Sequence, residues 1–334
     1  MADRDSTTVS PDLEALFGLS GGRVGRGLER LQLARGARLR AGRVAVLLSV
    51  VTWLPLLVLT AVEGVAWGGA VQVPFVRDYL PYGQLLIAIP VLVLGELAVG
   101  RYLVRALAQL RASEVLGRET EEDLDSVITR TLEYWRGRKI DAVIFFLTCA
   151  TTVVALLQAR EWLTGGWQVA GDGMTVAGWW YLLVSLPVIR FLSLRWLWRM
   201  LLWSWVLWRI SRLELQPRPA HPDRAGGLAF LGGTQAAFGV FVFALGVQLS
   251  CLLADAVHFR GAELTEFRGE VIAFVVIVLI ALVFPLLVFA PKLMRAREKN
   301  LLFLSGSAHR GAGDLERKLR ASSEGELPAD AVSG

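Results

Sequence analysis

The chain has 334 residues, of which 54% are hydrophobic and 19% are charged. A typical soluble domain is about half apolar and a quarter charged, and the mean hydropathy here is +0.50. These values exclude a disordered, collagen-like or disulfide-scaffold chain and favour a multi-pass membrane protein. The formal net charge of +5 does not indicate nucleic-acid binding, because no nucleic-acid motif accompanies the basic residues.

Six apolar stretches are long enough to cross a bilayer, which takes about 20 helical residues at a rise of about 1.5 Å each. In chain order they are residues 44–62, 84–104, 141–159, 176–194, 228–254 and 271–291. The sequence therefore predicts an all-α, polytopic bundle of about six transmembrane helices. Four of these spans contain a proline, and each proline can kink its helix because it removes a backbone hydrogen bond; they are Pro55, Pro90, Pro187 and Pro285.

Lys and Arg are distributed unequally between the segments that flank the spans. With the N-terminus inside, the cytoplasmic segments hold 31 of these residues and the outer segments hold 4. Since cytoplasmic loops carry an excess of Lys and Arg, we expect both termini to be cytoplasmic, N-in and C-in. The membrane domain 44–291 then lies between a basic, partly disordered N-terminus, 1–43, and a largely disordered tail, 292–334. The excess of Arg over Lys is typical of a bacterial genome, so we expect a protein of the bacterial cytoplasmic (inner) membrane.

Two cytoplasmic segments have a pattern of their own. In the loop 105–140, residues such as Leu124, Val127 and Ile128 share one helical face, which predicts an amphipathic helix on the membrane or on the bundle. A partner-binding helix is the alternative. The segment 195–213 interleaves Arg with Trp, which prefer the headgroup region and the interface. We expect it to lie along the inner leaflet as an interfacial segment, or to extend the fourth span.

One carboxylate, Glu96, lies deep in an apolar stretch, where a charge is costly and normally has a partner. By residue count, Arg190 lies at a similar depth in a span that runs the same way, and Thr148 and Gln235 lie near that level. The sequence thus predicts an intramembrane polar layer with an ion pair between Glu96 and Arg190. A structural ion pair and a proton or ion pathway are both open interpretations.

A proline-rich turn precedes the fifth span. His221, Pro222 and Asp223 are interpreted as a structural turn, with Asp223 capping the helix. Backbone amides at this helix start, together with nearby Arg side chains, form a candidate site for a phosphate or an anionic lipid headgroup. Its predicted residues are Arg195, Arg199, Arg218, Arg224, Gly226 and Gly227. No metal site is predicted, because His221 and Asp223 alone are too few ligands.

Glycines recur at seven-residue spacing in the fifth span, at Gly232, Gly239 and Gly246. They line one helical face and predict a helix-packing seam, since a neighbouring backbone can approach closely there. The usual catalytic and cofactor motifs are missing from the sequence, so no cofactor and no catalytic residue is predicted.

The runs 178–187, 195–199 and 221–228, together with 284–291, resemble a family of bacterial multi-pass inner-membrane proteins with a Trp/Arg-rich segment followed by an H-P-D-x-A-G-G-L motif. The resemblance covers most of residues 44–300. It implies a polytopic membrane architecture and no particular activity, because the family has no assigned activity.

Two classes of function follow. The first is a non-enzymatic membrane bundle whose cytoplasmic face contacts anionic lipid headgroups or a partner protein, as a monomer or a homo-oligomer. The second is a small-solute or ion transporter or channel that uses the polar layer around Glu96. A sealed ion pair at Glu96 favours the first class, and a water-accessible cavity there favours the second.

Overall fold

The computed structural model describes residues 37–68, 71–113, 118–136, 138–162, 165–170, 173–215, 223 and 226–298. Six helices within these ranges are long and apolar enough to cross a membrane, which confirms the prediction of an all-α polytopic bundle. We call them the first to sixth spans, and they are Ala41–Val62, Tyr79–Arg111, Ile140–Leu157, Val176–Arg212, Phe230–Arg260 and Leu264–Leu287.

Several spans are built from consecutive helical segments. The first lies in the α-helix Ala37–Val62, the third in Arg138–Trp162, and the sixth combines the 3-10 turn Leu264–Phe267 with Arg268–Leu287. The fifth joins Phe230–Ala237 to Gly239–Arg260. The second and fourth spans each contain a π-helical segment between two α-helical ones. Their segments are Tyr79–Pro81, Tyr82–Ala88 and Ile89–Ala112, and Val176–Trp180, Tyr181–Ser185 and Leu186–Arg212.

Both π-helical segments lie directly before a proline. Pro90 and Pro187 are each the second residue of the α-helix that follows the π-helical segment. Proline lacks an N–H and its ring collides with the carbonyl four residues earlier, so a wider turn before it relieves the clash. Pro55 and Pro285 lie inside uninterrupted α-helices. The two π-helical segments therefore give the second and fourth spans a matching irregularity near their outer ends.

The second and fourth spans form the centre of the bundle. In the second span 56% of the apolar 18-residue stretch is buried inside the protein, against 6% of the corresponding stretch in the sixth. The core between them is filled by large apolar side chains that are almost fully buried, including Leu85, Ile89, Leu92, Trp196, Trp203 and Leu207. The third, fifth and sixth spans lie around this centre.

The fourth span does not stop at the predicted boundary near residue 194. Its α-helix continues through the Trp/Arg-rich segment to Arg212, so residues 195–212 extend the span and do not form a separate interfacial helix. A loop helix, Arg118–Arg136, packs against this extension. The loop helix turns Leu124, Val127 and Ile128 inward and leaves the opposite face exposed.

Short outer loops hold the starts of the spans. The Glu63 carboxylate accepts hydrogen bonds from the backbone N–H groups of Val176 and Ala177, at 2.6 and 3.3 Å. A two-stranded antiparallel sheet, β1 (Val169–Ala170) with β2 (Gly173–Met174), brings the chain back to the start of the fourth span. These contacts fix the first and fourth spans relative to each other at the outer side.

Candidate functional site

Glu96 forms an ion pair with Arg199 inside the protein. The Arg199 Nη2 atom contacts the Glu96 Oε1 atom, and the two side chains are 2% and 4% exposed. The Arg199 guanidinium also lies over the Trp196 ring, 5.5 Å from its centroid, and the Trp196 indole N–H donates to the Leu92 carbonyl at 3.0 Å. The pair is therefore sealed between the second and fourth spans under a buried indole.

The predicted pairing of Glu96 with Arg190 is wrong. Arg190 instead donates a hydrogen bond to the Thr151 carbonyl of the third span. Arg190 and Arg199 are nine residues apart in one regular α-helix, and at about 100° per residue this places them on opposite faces. Counting residues gave an acceptable depth for Arg190 but did not identify the face that meets the second span.

The other members of the predicted polar layer do not join the ion pair. The Thr148 hydroxyl donates to the Ile144 carbonyl of its own helix at 2.8 Å. Gln235 is buried, and its side-chain amide has no hydrogen-bond partner among the described residues. Its neighbour Thr234 accepts a hydrogen bond from the Trp203 indole at 3.1 Å. Where we predicted one layer, the described residues thus form the Glu96–Arg199 pair and separate polar contacts.

The predicted headgroup-binding role of Arg195 and Arg199 is also wrong. Both side chains are buried, at 6% and 1% exposed. Arg195 lies within the electrostatic influence of Asp141 on the third span, and Arg199 is held by Glu96. Because the loop helix and the neighbouring spans cover this part of the fourth span, these guanidinium groups face protein.

The turn before the fifth span is only partly described, since His221, Pro222, Arg218 and Arg224 lie outside the described residues. Asp223 accepts hydrogen bonds from the Gly227 and Ala229 amides at 3.0 and 3.1 Å. Gly226 and Gly227 have φ angles of 64° and 90°, which favour glycine. The Asp223 carboxylate thus already accepts the hydrogen bond of the Gly227 amide, which the predicted anion site would need for its ligand.

The glycine seam has no partner within the described chain. A Cβ atom added at Gly232, Gly239 or Gly246 would meet nothing within 4 Å. Close approach occurs instead on the second span. A Cβ at Gly83 would lie 2.3 Å from the Cys251 Sγ atom, and one at Gly95 would lie 2.4 Å from Val240 Cγ1. The fifth span does pack closely, but it does so against glycines of its neighbour.

A set of basic side chains, exposed or half-buried, lies at the cytoplasmic side under the predicted orientation; two of them belong to the segment 195–213, which we expected along the inner leaflet. We call this set the basic rim; it comprises Arg101, Arg105, Arg209, Arg212, Lys292 and Arg295. Arg209 lies over Trp205 at 5.7 Å and Arg212 over Trp208 at 5.2 Å. Lys292 donates to the Leu213 carbonyl and so ties the inner end of the fourth span to the residues after the sixth. The four-residue spacing of Trp and Arg is the sequence signal that marks these pairs.

A polar cluster at the outer ends of the spans was missed altogether. Asp78 precedes the second span and accepts a hydrogen bond from the Trp167 indole at 2.7 Å. Two helical turns further in, Tyr181 donates to Gln84 at 2.9 Å, so the two π-helical segments meet through this contact. Asp255 of the fifth span completes the cluster. Our predicted spans ended at 254 and began at 84, which assigned both carboxylates to loops.

No protein-family model, curated protein or solved structure matches the chain. The described ranges also hold no group of three or more His, Cys, Asp and Glu side chains placed to bind a metal. The chain is a multi-pass membrane protein by its six spans, and its resemblance to a bacterial family stays a prediction.

Proposed function

We propose that this protein is a non-enzymatic, multi-pass protein of the bacterial cytoplasmic membrane whose cytoplasmic face binds anionic lipid headgroups. The observation that carries the proposal is the basic rim, because its Arg and Lys side chains, four exposed and two half-buried, come from the second and fourth spans and from the residues after the sixth. A basic residue near an anionic membrane surface contributes about 1 kcal/mol of binding free energy. We expect such residues, gathered at one side of the bundle, to favour anionic over neutral lipid.

The cation–π pairs support the same assignment. Trp prefers the membrane–water interface and Arg extends its charge towards the headgroups. Stacking of Arg209 on Trp205 and of Arg212 on Trp208 restricts the guanidinium groups before a lipid arrives. The entropy lost on binding is then smaller than for free Arg side chains.

The transporter alternative receives less support. Glu96 is paired with Arg199 in the protein interior. The buried side chains of Leu85, Ile89 and Leu92 lie on the second span between this pair and the outer polar cluster. Such an apolar layer separates the two polar regions. A partner protein at the loop helix stays compatible with the lipid-binding proposal, since the loop helix leaves Glu122, Asp123 and Asp125 exposed.

Thermal unfolding of the purified protein in detergent tests the proposal, with phosphatidylglycerol or phosphatidylcholine added. We expect phosphatidylglycerol to raise the melting temperature, and we expect the double variant Arg209→Gln/Arg212→Gln to lose much of that increase. Arg268→Gln, at the opposite end of the bundle, is the matched control and should keep it. Equal stabilisation by both lipids, or an equal response of all variants, would contradict the proposal.

A further inference from the structure

The fifth span carries a shallow groove on its own surface. Gly232, Gly239 and Gly246 share one helical face, and a Cβ atom added at any of them would meet nothing within 4 Å. On an α-helix, the side chains three and four residues after each glycine lie on either side of it. These positions form the two walls of what we call the fifth-span groove: Gln235, Val242 and Leu249 on one side, and Ala236, Phe243 and Ser250 on the other.

The two walls of the groove differ in their surroundings. All three residues of the second wall are exposed, and Phe243 leaves 56% of its surface uncovered. The first wall is turned towards the bundle, since Val242 and Leu249 are half-buried and Gln235 is 4% exposed. The groove therefore runs along the boundary between protein and lipid, where one chain of a lipid can lie against the glycines.

Gln235 supplies a second feature that points to a ligand. Neither its amide nitrogen nor its amide oxygen has a hydrogen-bond partner among the described residues, although both atoms are buried. A buried amide without a partner costs free energy, and the hydrocarbon core holds no water to replace one. The neighbouring Thr234 differs, because its hydroxyl pairs with Trp203 of the fourth span. Since Gln235 lies on the groove wall between Gly232 and Gly239, a ligand in the groove can supply the partner.

The depth of Gln235 matches that of the ester groups of a lipid in the cytoplasmic leaflet. The fifth span has 31 residues and is about 46 Å long at about 1.5 Å per residue, whereas the hydrocarbon core is about 30 Å thick. Centred on that core, the span extends roughly 8 Å beyond each edge. Gln235 follows the first residue of the span, Phe230, by five residues, or about 8 Å, and so lies at the cytoplasmic edge of the core. Gly239 and Gly246 lie deeper, at the level of the acyl chains.

The basic rim lies beside the same end of the groove. The sixth span packs against Phe230–Ala237, and Lys292 and Arg295 of the basic rim follow the sixth span. We infer that the fifth-span groove holds one acyl chain of an anionic lipid, while the Gln235 amide donates a hydrogen bond to an ester carbonyl of that lipid. The inference rests on the proposed function, because it places the headgroup of the lipid at the basic rim. It adds recognition of the acyl chain and its ester linkage to recognition of the headgroup charge.

Thermal unfolding of the full chain in detergent separates the groove from the headgroup site. Dihexanoyl phosphatidylglycerol probes the headgroup, and dioleoyl phosphatidylglycerol probes the headgroup and the long chains together. We expect the dioleoyl lipid to raise the melting temperature further than the dihexanoyl lipid does. Gly239→Leu fills the groove and should remove this difference while it keeps the response to the dihexanoyl lipid; Gly246→Leu is the second variant, should the first not fold. Ala142→Leu, at an exposed position of the third span, is the control and should keep the difference.

An ether-linked dioleyl phosphatidylglycerol tests the role of Gln235, because this lipid lacks the ester carbonyl. We expect the ether lipid to stabilise the native protein less than its ester counterpart does, and Gln235→Leu to respond equally to both. Without lipid, Gln235→Leu should melt at a higher temperature than the native protein, since it removes an unpartnered buried amide. Gln248→Leu is the matched control: the Gln248 amide donates to the Ala244 carbonyl at 3.2 Å, so its removal should leave the preference for the ester lipid intact.

The outcomes distinguish failure of this inference from failure of the proposed function. If Gly239→Leu keeps the additional response to the dioleoyl lipid, or if the native protein does not distinguish ester from ether, the groove inference is overturned and the headgroup proposal stands. If neither phosphatidylglycerol stabilises the native protein more than phosphatidylcholine, both proposals fail. Analytical ultracentrifugation covers the other occupant: a dimer that Gly239→Leu converts to monomers would show that a second copy covers the glycines, and would overturn the inference.

Discussion

At the residue scale, the position of a partner on the helix circumference matters as much as its depth. Glu96 was identifiable from the sequence as a buried acid that needs a counter-charge, and the structure supplies Arg199. Arg190, at the depth we preferred, is half a turn away on the same helix. Depth follows from residue count, but the face depends on how the two spans pack, which a single sequence does not reveal.

The Glu96–Arg199 pair should behave as a coupled unit. Removing one partner of a buried pair leaves an uncompensated charge and typically costs about 3–5 kcal/mol, whereas removing both costs much less. We therefore expect Glu96→Leu and Arg199→Leu each to destabilise strongly and the double variant to recover much of the loss. Urea or thermal unfolding in detergent measures the coupling through a double-mutant cycle.

The matched control is the cycle between Glu96→Leu and Arg190→Leu. Since Arg190 contacts the third span and not Glu96, its effect should add to that of Glu96→Leu. Coupling in the control cycle, or none in the Glu96–Arg199 cycle, would show that the pairing is wrong.

Glycines of the second and fifth spans should respond in opposite directions to alanine. Alanine is a better helix former than glycine by about 1 kcal/mol, and at Gly239 an added Cβ meets nothing. At Gly95 it would overlap the β-branched side chain of Val240, and overpacking costs about 1–3 kcal/mol. We expect Gly95→Ala to lower the melting temperature and Gly239→Ala to leave it unchanged or raise it. Equal shifts would contradict this assignment of close contacts.

At the element scale, hydropathy predicted the spans well because a bilayer requires about 20 apolar residues whatever the packing. It could not predict that the fourth span continues to Arg212. Arg residues in an apolar stretch normally indicate either a lipid interface or an ion pair. The packing of the loop helix and the second span on that side of the fourth span distinguishes the two, and the sequence does not reveal this packing. The π-helical segments likewise depend on local strain before Pro90 and Pro187, for which periodicity gives no signal.

The loop helix should be held in place by its apolar face. Leu124 is fully buried, and truncating a buried Leu to Ala costs about 2–5 kcal/mol. Because this face packs against the fourth span at the edge of the bundle, we expect Leu124→Ala to speed hydrogen exchange within Arg118–Arg136 while the spans stay protected. Thr129→Ala, on the exposed face, is the control. Uniformly faster exchange across all spans would show that the loop helix is part of the membrane core.

At the scale of the whole molecule, the orientation remains a prediction from the positive charges. A reporter fused after Gly334 should be cytoplasmic, and one inserted at Gly173, between the third and fourth spans, should be external. Four of the 35 Lys and Arg residues flank the spans on the predicted outer side. A cytoplasmic signal at Gly173 would contradict both the orientation and the assignment of the basic rim to the cytoplasmic side.

The ion pair also constrains biosynthesis. Ribosomes add about 5–20 residues per second, and Arg199 follows Glu96 by about 100 residues, so the acid enters the membrane roughly 5–20 s before its partner exists. During that interval the nascent chain contains an unneutralised buried acid, which only the arrival of the fourth span relieves. A chain terminated after the third span should therefore be degraded rapidly in cells. One that lacks only the sixth span, which is 6% buried in the bundle, should persist for longer.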